Sequence, residues 1–396
     1  MVSNRQLFLR HVAQTSDGSL QFEIDRAEGI FFYDTSGKAY IDLVSGVSVS
    51  AVGHRHPEVV EAIKAQADRY LHTMVYGEFV QSPQVAYAGW LAEKLPASLD
   101  NVFFVNSGSE AIDGAMKLAK RYTGRGEFRA FRNAYHGGTH GALSILGDEK
   151  ARSGSLPLLP GIKLLRFNVG EELSLIDESV AAVVVEPIQA EAGIIEPETG
   201  FLPAVRKRCD EAGALLIFDE IQTGMGRTGN LFAFEHYGVV PDILCLAKSF
   251  GGGMPLGAFI SSKEVMSKLT FDPPLGHITT FGGHPVCCAA GLAAQRVVER
   301  DGLMKHALEM EQLYRKGLNH PLIRGIRGRG LFLAVVLKEG VDVGDFLARA
   351  FQNGLVIDQF LFSSDSFRIA PPLVISPEEV DHSIKLVRST LDEIIK

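Results

Sequence analysis

Four short and almost wholly apolar runs most strongly constrain the fold of this chain. A strand that is apolar on both faces fits a parallel sheet covered by helices on both sides, whereas a strand with one face in water alternates apolar and polar residues. Helical patterns separate the runs, and this alternation predicts right-handed βαβ units and an α/β fold. The four predicted strands are Asn101–Val105, Ala181–Val185, Ala214–Phe218 and Asp242–Leu246.

The two ends of the chain show a different pattern. Residues 29–43 predict a β-hairpin around a polar turn. Beyond residue 290 the pattern predicts a helix, the strand Leu331–Leu337, a second helix, a strand near residues 367–369 and a final helix. These mixed elements at both ends indicate an α+β unit that is separate from the apolar strands.

The length of 396 residues is enough for two domains. We predict a large domain over residues 56–290, with a mostly parallel sheet between helices. A smaller α+β domain is predicted from both termini, residues 1–55 and 291–396, because chain ends often pack together at one side of a globular core.

Composition excludes several classes of protein. The formal net charge of −8 predicts no nucleic-acid partner, and the local basic cluster of Arg324, Arg327 and Arg329 lies among glycines, which predicts an exposed turn. The apolar runs are far shorter than the roughly 18 residues of a membrane span, so no membrane segment is predicted. The four cysteines lack the C-x-x-C spacing, which indicates reduced thiols in a cytoplasmic protein.

Polar residues follow each predicted strand, where ligands of open α/β sheets bind. The first of these segments is a Gly-Ser turn that opens an amphipathic helix. Its backbone N–H groups suit a phosphate, although the same residues also make an ordinary helix cap. The segments are Asn106-Ser107-Gly108-Ser109-Glu110, Glu186-Pro187, Asp219-Glu220-Ile221-Gln222-Thr223-Gly224 and Ala247-Lys248.

Lys248 follows an apolar strand and precedes three glycines. Loss of hydration would lower the pKa of its amine and make it nucleophilic, although most lysines in this position of a sequence lie at the surface. A lysine, an acid one strand away and a phosphate-binding turn are together what a pyridoxal-phosphate site must supply. The combination predicts such a site around Lys248 and Asp219.

With these motifs in family order, the chain resembles the class III (ω-type) aminotransferases, pyridoxal-phosphate enzymes of fold type I. The resemblance runs nearly end to end, and its motifs are specific in combination. Besides the segments above, it rests on Gly37-Lys38-Ala39-Tyr40-Ile41-Asp42, Gly53-His54-Arg55-His56-Pro57, Val185-Glu186-Pro187-Ile188-Gln189, Thr280-Phe281-Gly282-Gly283 and Arg368-Ile369-Ala370-Pro371-Pro372.

The resemblance implies roles for the cofactor-binding residues. Lys248 would hold pyridoxal 5′-phosphate as a Schiff base and would then carry the proton of the transamination step. Asp219 would pair with the pyridinium nitrogen, and Gln222 would hydrogen-bond the phenolic oxygen of the ring. The remaining predicted contacts are Ser107, Gly108 and Ser109 around the phosphate, Tyr135 stacked on the ring with His136 beside it, and Glu186 in the pocket.

The resemblance also implies shared subunits and a substrate site. Thr280 would reach the phosphate of the neighbouring subunit, which implies a homodimer with shared active sites. Arg368 would bind a substrate carboxylate or pair with Glu191. The implied partners are an amino donor and a 2-oxo acid, in a ping-pong reaction. No metal is predicted, because the glycines between His136 and His140 disfavour a common helix face.

Departures from the family pattern put the donor in doubt. Members that use glutamate often have an arginine at the position of Gly138, and several ornithine-type members have a tyrosine near Val47. Arg166 or Arg227 could supply a guanidinium instead. Donors of the ornithine, acetylornithine, 4-aminobutyrate, lysine and β-amino acid class all remain open. The alternatives are an aminomutase or decarboxylating relative on the same scaffold and, more remotely, a non-catalytic cofactor-binding protein.

Overall fold

The computed structural model describes residues 2–18, 20–75 and 77–395. None of the helices in these ranges is both long and apolar enough to cross a membrane. The strands are β1 Ile24–Glu28, β2 Phe31–Asp34, β3 Ala39–Asp42, β4 Asn101–Val105, β5 Glu127–Phe131, β6 Ile162–Leu165, β7 Val180–Val185, β8 Leu215–Asp219, β9 Ile243–Leu246, β10 Gly257–Ser261, β11 Ile323–Arg329, β12 Phe332–Leu337, β13 Leu355–Val356 and β14 Ser366–Ile369. The α-helices are α1 Asn4–His11, α2 Ser45–Ser48, α3 Pro57–Arg69, α4 Ser82–Lys94, α5 Gly108–Thr123, α6 His140–Ser144, α7 Glu149–Ser153, α8 Phe201–Ala212, α9 Lys263–Met266, α10 Pro285–Arg300, α11 Leu303–Gly317, α12 Val343–Gln352 and α13 Pro377–Ile395.

The central sheet has seven strands in the order β4-β10-β9-β8-β7-β5-β6. The pairs from β9 to β6 are all parallel, whereas β10 pairs antiparallel with both β9 and β4. This sheet confirms the α/β fold expected from the four apolar runs, and all four runs form its strands with boundaries within one residue of those predicted. The antiparallel strand β10 was not predicted.

Strand β7 shows why the apolar runs are continuous. All six of its residues are buried. Val183 and Val185 pack on one face with residues of α8, and Ala182 and Val184 pack on the other face with residues of α5. Since each fully buried valine is worth about 1.5–3 kcal/mol, helices on both faces stabilise the sheet strongly.

A second apolar core joins the two ends of the chain. Its residues come from the four-stranded sheet β1-β2-β3-β13, the three-stranded sheet β11-β12-β14 and helices α10 to α13. The antiparallel pairing of β2 with β3 confirms the predicted hairpin. The domain boundaries at residues 56 and 290 stay a prediction, since α10 contributes Cys288 to the core of the central sheet and Val297 to the second core.

The basic cluster does not form the exposed turn that we predicted. Arg324, Arg327 and Arg329 lie in strand β11, which pairs antiparallel with β12. Gly328 has a φ of +100°, and a Cβ atom there would lie 2.1 Å from the carbonyl oxygen of Phe332. Glycine is therefore needed for the close approach of two strands, which a sequence pattern cannot distinguish from a turn.

Candidate active site

The carboxyl ends of β4, β7, β8 and β9 meet at a cavity of about 390 Å³. This size suits a small cofactor with part of a substrate. Nine of the twelve predicted site residues line the cavity, and Glu191, Thr280 and Arg368 lie outside its wall. The nine are Ser107, Gly108, Ser109, Tyr135, His136, Glu186, Asp219, Gln222 and Lys248.

Lys248 stands directly after strand β9, at the first residue of a 3₁₀ turn that ends at Gly251. Its backbone adopts a φ of +54°, a left-handed conformation that is costly for a residue with a side chain and that aims the amine into the cavity region. Loss of hydration and the charge of Arg368 lower the pKa of Lys248 to about 8, although nearby carboxylates oppose the shift. A large share of the amine is therefore neutral and nucleophilic near pH 8.

Asp219 ends strand β8 and is held on two sides. Its Oδ1 accepts a hydrogen bond from the backbone N–H of Ile221 at 3.0 Å, and its Oδ2 lies 2.7 Å from His136 Nδ1. Because an ionised carboxylate only accepts hydrogen bonds, Nδ1 is the protonated nitrogen of His136 in this pair. His136 Nε2 is buried and has no hydrogen-bond partner among the described residues.

Glu186 follows strand β7 and is buried beside Asp219. One oxygen, Oε1, accepts from the backbone N–H of Ala190 at 3.3 Å, and Oε2 has no partner in the described part of the chain. Burial, followed by repulsion from Asp219, raises the pKa of Glu186 well above its usual range. Burial therefore favours the neutral form of Glu186, which would have a hydroxyl to donate beside Asp219.

The Gly-Ser turn forms a cradle at the start of the 16-residue helix α5. Ser107 caps this helix by accepting a hydrogen bond from the N–H of Glu110. The interpretation of Ser107 as a helix cap is therefore confirmed, and its contact with a phosphate stays a prediction. A second segment approaches closely, because Gly138 donates its N–H to Ser109 Oγ at 3.1 Å. Gly137 has a φ of +129°, and a Cβ atom there would lie 2.0 Å from Ser109 Oγ.

Gln222 links the cavity to the predicted carboxylate site. Its Nε2 donates to Glu191 Oε1 at 3.0 Å, and its Oε1 accepts from Arg368 Nη1 at 3.1 Å. Arg368 Nη2 also donates to Glu191 Oε1 at 2.7 Å. Burial alone would raise the pKa of Glu191, but the charge and hydrogen bonds of Arg368 outweigh it and hold that pKa below its usual value. The Arg368–Glu191 pair therefore does not line the cavity itself and is connected to it through Gln222.

Two residues that contact Arg368 were not predicted from the sequence. Asp358 Oδ1 lies 3.3 Å from Arg368 Nε, and the Phe360 ring centroid lies 4.8 Å from the guanidinium carbon. Burial raises the pKa of Asp358 to about 6 against the opposing charge of Arg368. No motif marks these residues in the sequence. They reach Arg368 because the chain folds back at this point, with Gln359 bridged to Phe367.

The two other candidate arginines are engaged elsewhere. Arg166 is exposed and pairs with Glu172 at 2.6 Å. Arg227 is buried and donates to the carbonyl oxygens of Leu331 and Pro371. Neither lines the cavity.

Thr280 lies on an exposed loop outside the cavity. The loop is attached to the cradle through its neighbour Thr279, whose Oγ1 accepts from Asn106 Nδ2 at 3.0 Å. Thr280 therefore has no contact with the cavity wall of its own chain.

Comparison with known proteins agrees with this geometry. A family model described as Aminotransferase class-III matches residues 12–391. The acetylornithine aminotransferase of Methanopyrus kandleri is 42% identical over 366 residues, which cover 90% of this chain and 91% of the relative. That of Caldanaerobacter subterraneus subsp. tengcongensis is 39% identical over 381 residues, covering 93% and 94%. A Toxoplasma gondii ornithine aminotransferase structure with partial occupancy of PLP superposes with a TM-score of 0.91 at 30% identity, covering 100% of this chain and 96% of that one.

The fold and the site define a pyridoxal-phosphate-dependent aminotransferase. Within that class, the chain belongs to the class III aminotransferase family. Its cofactor is pyridoxal 5′-phosphate, and its substrates are an amino donor and a 2-oxo acid. The expected family and reaction are thereby confirmed, and neither the mutase alternative nor the non-catalytic one finds support among these relatives.

The described residues fit the cofactor. Two buried polar atoms next to Asp219 lack partners, His136 Nε2 and Glu186 Oε2, and buried polar groups normally have them. The cradle at Ser107 to Ser109 offers backbone donors for a phosphate, and Gly137 keeps the second segment close to it. An amine with a lowered pKa, the Asp219 carboxyl group and an anion cradle therefore surround one cavity.

We predict that Gly137→Ala weakens cofactor binding at least tenfold. The φ of Gly137 costs a residue with a side chain about 1–3 kcal/mol, and the new methyl group would displace Ser109. A titration of apoenzyme with pyridoxal phosphate, followed by absorbance, measures the change. Gly138→Ala is the matched control, since a Cβ atom there meets nothing within 4 Å. Equal affinities for the two variants would contradict this account of the cradle.

We also predict that the rate of cofactor loading follows the lowered pKa of Lys248. Only the neutral amine attacks an aldehyde, so the rate should rise with pH through about 8 and level off above it. Stopped-flow absorbance of apoenzyme mixed with cofactor gives the profile. A midpoint near the ordinary value for lysine, about 10.4, would show that burial does not activate this amine.

Proposed function

We propose that this chain transfers the amino group of an ω-amino donor of the ornithine and acetylornithine type to a 2-oxo acid, with Lys248 and Asp219 as catalytic residues. One observation carries the proposal. Asp219 ends strand β8, and Lys248 lies two residues beyond the end of the neighbouring strand β9. Both line one cavity, and Gln222 joins that cavity to the Arg368–Glu191 pair. The proposed cofactor site and the proposed carboxylate site are thereby next to each other.

When bound, pyridoxal phosphate supplies an aldehyde carbon that takes the amino group and a ring that accepts an electron pair. Lys248 Nζ, with its lowered pKa, takes up a proton and returns it within the cavity. Asp219, oriented by His136 and by the Ile221 N–H, holds a negative charge where the ring nitrogen would lie. Glu186 presents a neutral hydroxyl, which avoids a second negative charge beside Asp219.

The proposed donor class rests on relatives and on the carboxylate site. The similar proteins are named acetylornithine and ornithine aminotransferases, and both of these amino acids carry an amino group at the end of the side chain. Gly138 gives no guanidinium, and Arg166 and Arg227 are engaged away from the cavity. Arg368 is therefore the residue that we assign to the substrate carboxylate. While it is paired with Glu191, the pocket suits an amine without a carboxylate at that end.

We further propose a homodimer in which Thr280 completes the partner's phosphate site. Thr280 does not contact the cavity of its own chain, and its loop borders a groove of about 690 Å³. Exposed apolar side chains surround this groove and loop, which is typical of a surface that another subunit covers. They are Phe79, Val80, Leu275, Ile278 and Phe281. The cytoplasmic location expected from the cysteines stays a prediction.

Lys248→Ala tests the catalytic assignment. We expect holoenzyme given an ω-amino donor, such as N-acetylornithine, but no oxo acid to convert one equivalent of donor per site and stop. An aminomutase would continue under the same conditions. Lys248→Ala should convert none, because it lacks the amine that moves the proton, while Lys263→Ala replaces an exposed lysine and should behave as wild type. Product formation is measured by mass spectrometry. Turnover by Lys248→Ala at the wild-type rate would refute the role of Lys248.

Subunit mixing tests the shared site. Thr280→Ala removes one hydrogen bond to a charged phosphate, worth about 1.5–3 kcal/mol, so cofactor affinity should fall about ten- to hundredfold. Heterodimers of Lys248→Ala with Thr280→Ala subunits should contain one site with both defects and one intact site. At limiting cofactor, activity should therefore recover on mixing. Mass labels show whether subunits have exchanged. If they have exchanged and activity does not recover, each site is built from one chain.

A further inference from the structure

Arg368 lies between two carboxylates. On one side its Nη2 donates to Glu191 Oε1 at 2.7 Å, and on the other its Nε lies 3.3 Å from Asp358 Oδ1. Arg368 is 1% exposed, and the Phe360 ring lies against its guanidinium. The cluster therefore holds one positive group and two carboxylates. Arg368 and Glu191 are buried, whereas the Asp358 side chain is 32% exposed.

The segment 358–362 fixes both sides of this cluster. The backbone N–H of Leu361 donates to Glu191 Oε2 at 3.1 Å, and the N–H of Phe362 donates to the backbone carbonyl of Glu191. Arg368 donates its own backbone N–H to the carbonyl of Asp358. If Arg368 turned away, Glu191 would keep its hydrogen bonds from Leu361 and Gln222, so Arg368 is the movable partner of the pair. The backbone of Asp358 is hydrogen-bonded to the backbone of Arg368.

The two carboxylates differ in how firmly they hold their charge. Glu191 accepts from Arg368, Gln222 and Leu361, which stabilise its ionised form. Asp358 Oδ1 is buried and has no hydrogen-bond partner within the described residues, and neither has Arg368 Nε opposite it. The charged groups that face Asp358 are Arg368 on β14, Glu191 after β7, Asp42 on β3 and Lys248 after β9. Asp42 is itself 2.8 Å from His54 Nε2.

We propose that Asp358 determines which charge a substrate can present to Arg368. With Asp358 ionised, the cluster of Arg368, Glu191 and Asp358 carries a surplus of one negative charge, which disfavours a carboxylate and favours a neutral or cationic amine. With Asp358 protonated, Arg368 can leave Glu191 and bind a carboxylate. Binding of an oxo acid therefore takes up one proton from solvent, which is held on Asp358. This inference rests on the proposed role of Arg368 as the carboxylate-binding residue.

The direction of the pH dependence follows from the titration of Asp358, whose pKa of about 6 is raised chiefly by burial. Below pH 6 the acid is already protonated in the free protein, and carboxylate binding needs no further proton. Above pH 6 each pH unit makes that protonation about tenfold harder. Affinity for a carboxylate should therefore fall about tenfold per unit between pH 6.5 and 8.

Calorimetry on the holoenzyme tests the proposal without turnover. The probe is pentanoate, which has one carboxylate and no amine or carbonyl group. Titration at pH 7.5 in two buffers with different ionisation heats gives the number of protons taken up. Wild type should take up about one proton more than Asp358→Asn, because any proton uptake at the cofactor is common to both proteins. Asp365→Asn is the matched control, because Asp365 is an exposed aspartate that pairs with Arg324 nearby.

The outcomes of these measurements separate the possibilities. Equal proton uptake by wild type and Asp358→Asn overturns the proposal, and so does a wild-type affinity for pentanoate that stays flat from pH 6 to 8, a measurement that needs no variant. A steep wild-type profile, flat in Asp358→Asn and restored in Asp358→Glu, supports it. In kinetics, Asp358→Asn should lower KM for pyruvate at pH 8 at least tenfold and change kcat less. If Arg368→Ala binds pentanoate as wild type does, the proposed carboxylate site itself is wrong, whereas the assignment of Lys248 stands.

Discussion

Burial of the central sheet on both faces is the constraint on which the rest of this structure depends. Val183, Val184 and Val185 are fully buried, and a charged side chain among them would lose its hydration without compensation. Polar chemistry is therefore excluded from the interior of the strands and begins where they end. Asp219 is the last residue of its strand, and Lys248 lies two residues beyond the end of the next one. The parallel order of β7, β8 and β9 brings these ends to one edge of the sheet.

The same scarcity of water sets the charge state of each group in the cavity. An ionised side chain in such a place needs a partner, and a group without one becomes neutral. Asp219 has His136 and a backbone N–H, and Glu191 has Arg368 and two further donors. Glu186 lacks comparable support, and its pKa rises. The raised pKa of Glu186 thus follows from its surroundings, although Glu186 and Asp219 are both carboxyl groups at the end of strands.

Local signals predicted the parts of this molecule that depend on neighbours in sequence. The apolar runs predicted the strands, and Ser107 predicted the start of α5, because both depend on short-range patterns and caps. Contacts between distant segments were not predictable in this way. Strand β10 runs antiparallel in a sheet that the apolar runs predicted as mostly parallel. Asp358 reaches the site because the chain folds back on itself. The glycines of β11 suggest a turn in the sequence, and the close approach of Gly328 to Phe332 explains one of them.

Gln222 shows how substrate recognition and cofactor chemistry are physically joined. Its contact with the phenolic oxygen of the ring stays a prediction, and its side chain lines the cavity while its amide joins Glu191 to Arg368. If Arg368 turns to a substrate carboxylate as we propose, Gln222 Oε1 would lose a donor that carries charge, a bond worth about 1.5–3 kcal/mol. Its Nε2 keeps the bond to Glu191, and a second hydrogen on that nitrogen faces no partner in the contacts described. Occupation of the proposed carboxylate site would therefore change the hydrogen bonding of a residue in the cofactor cavity.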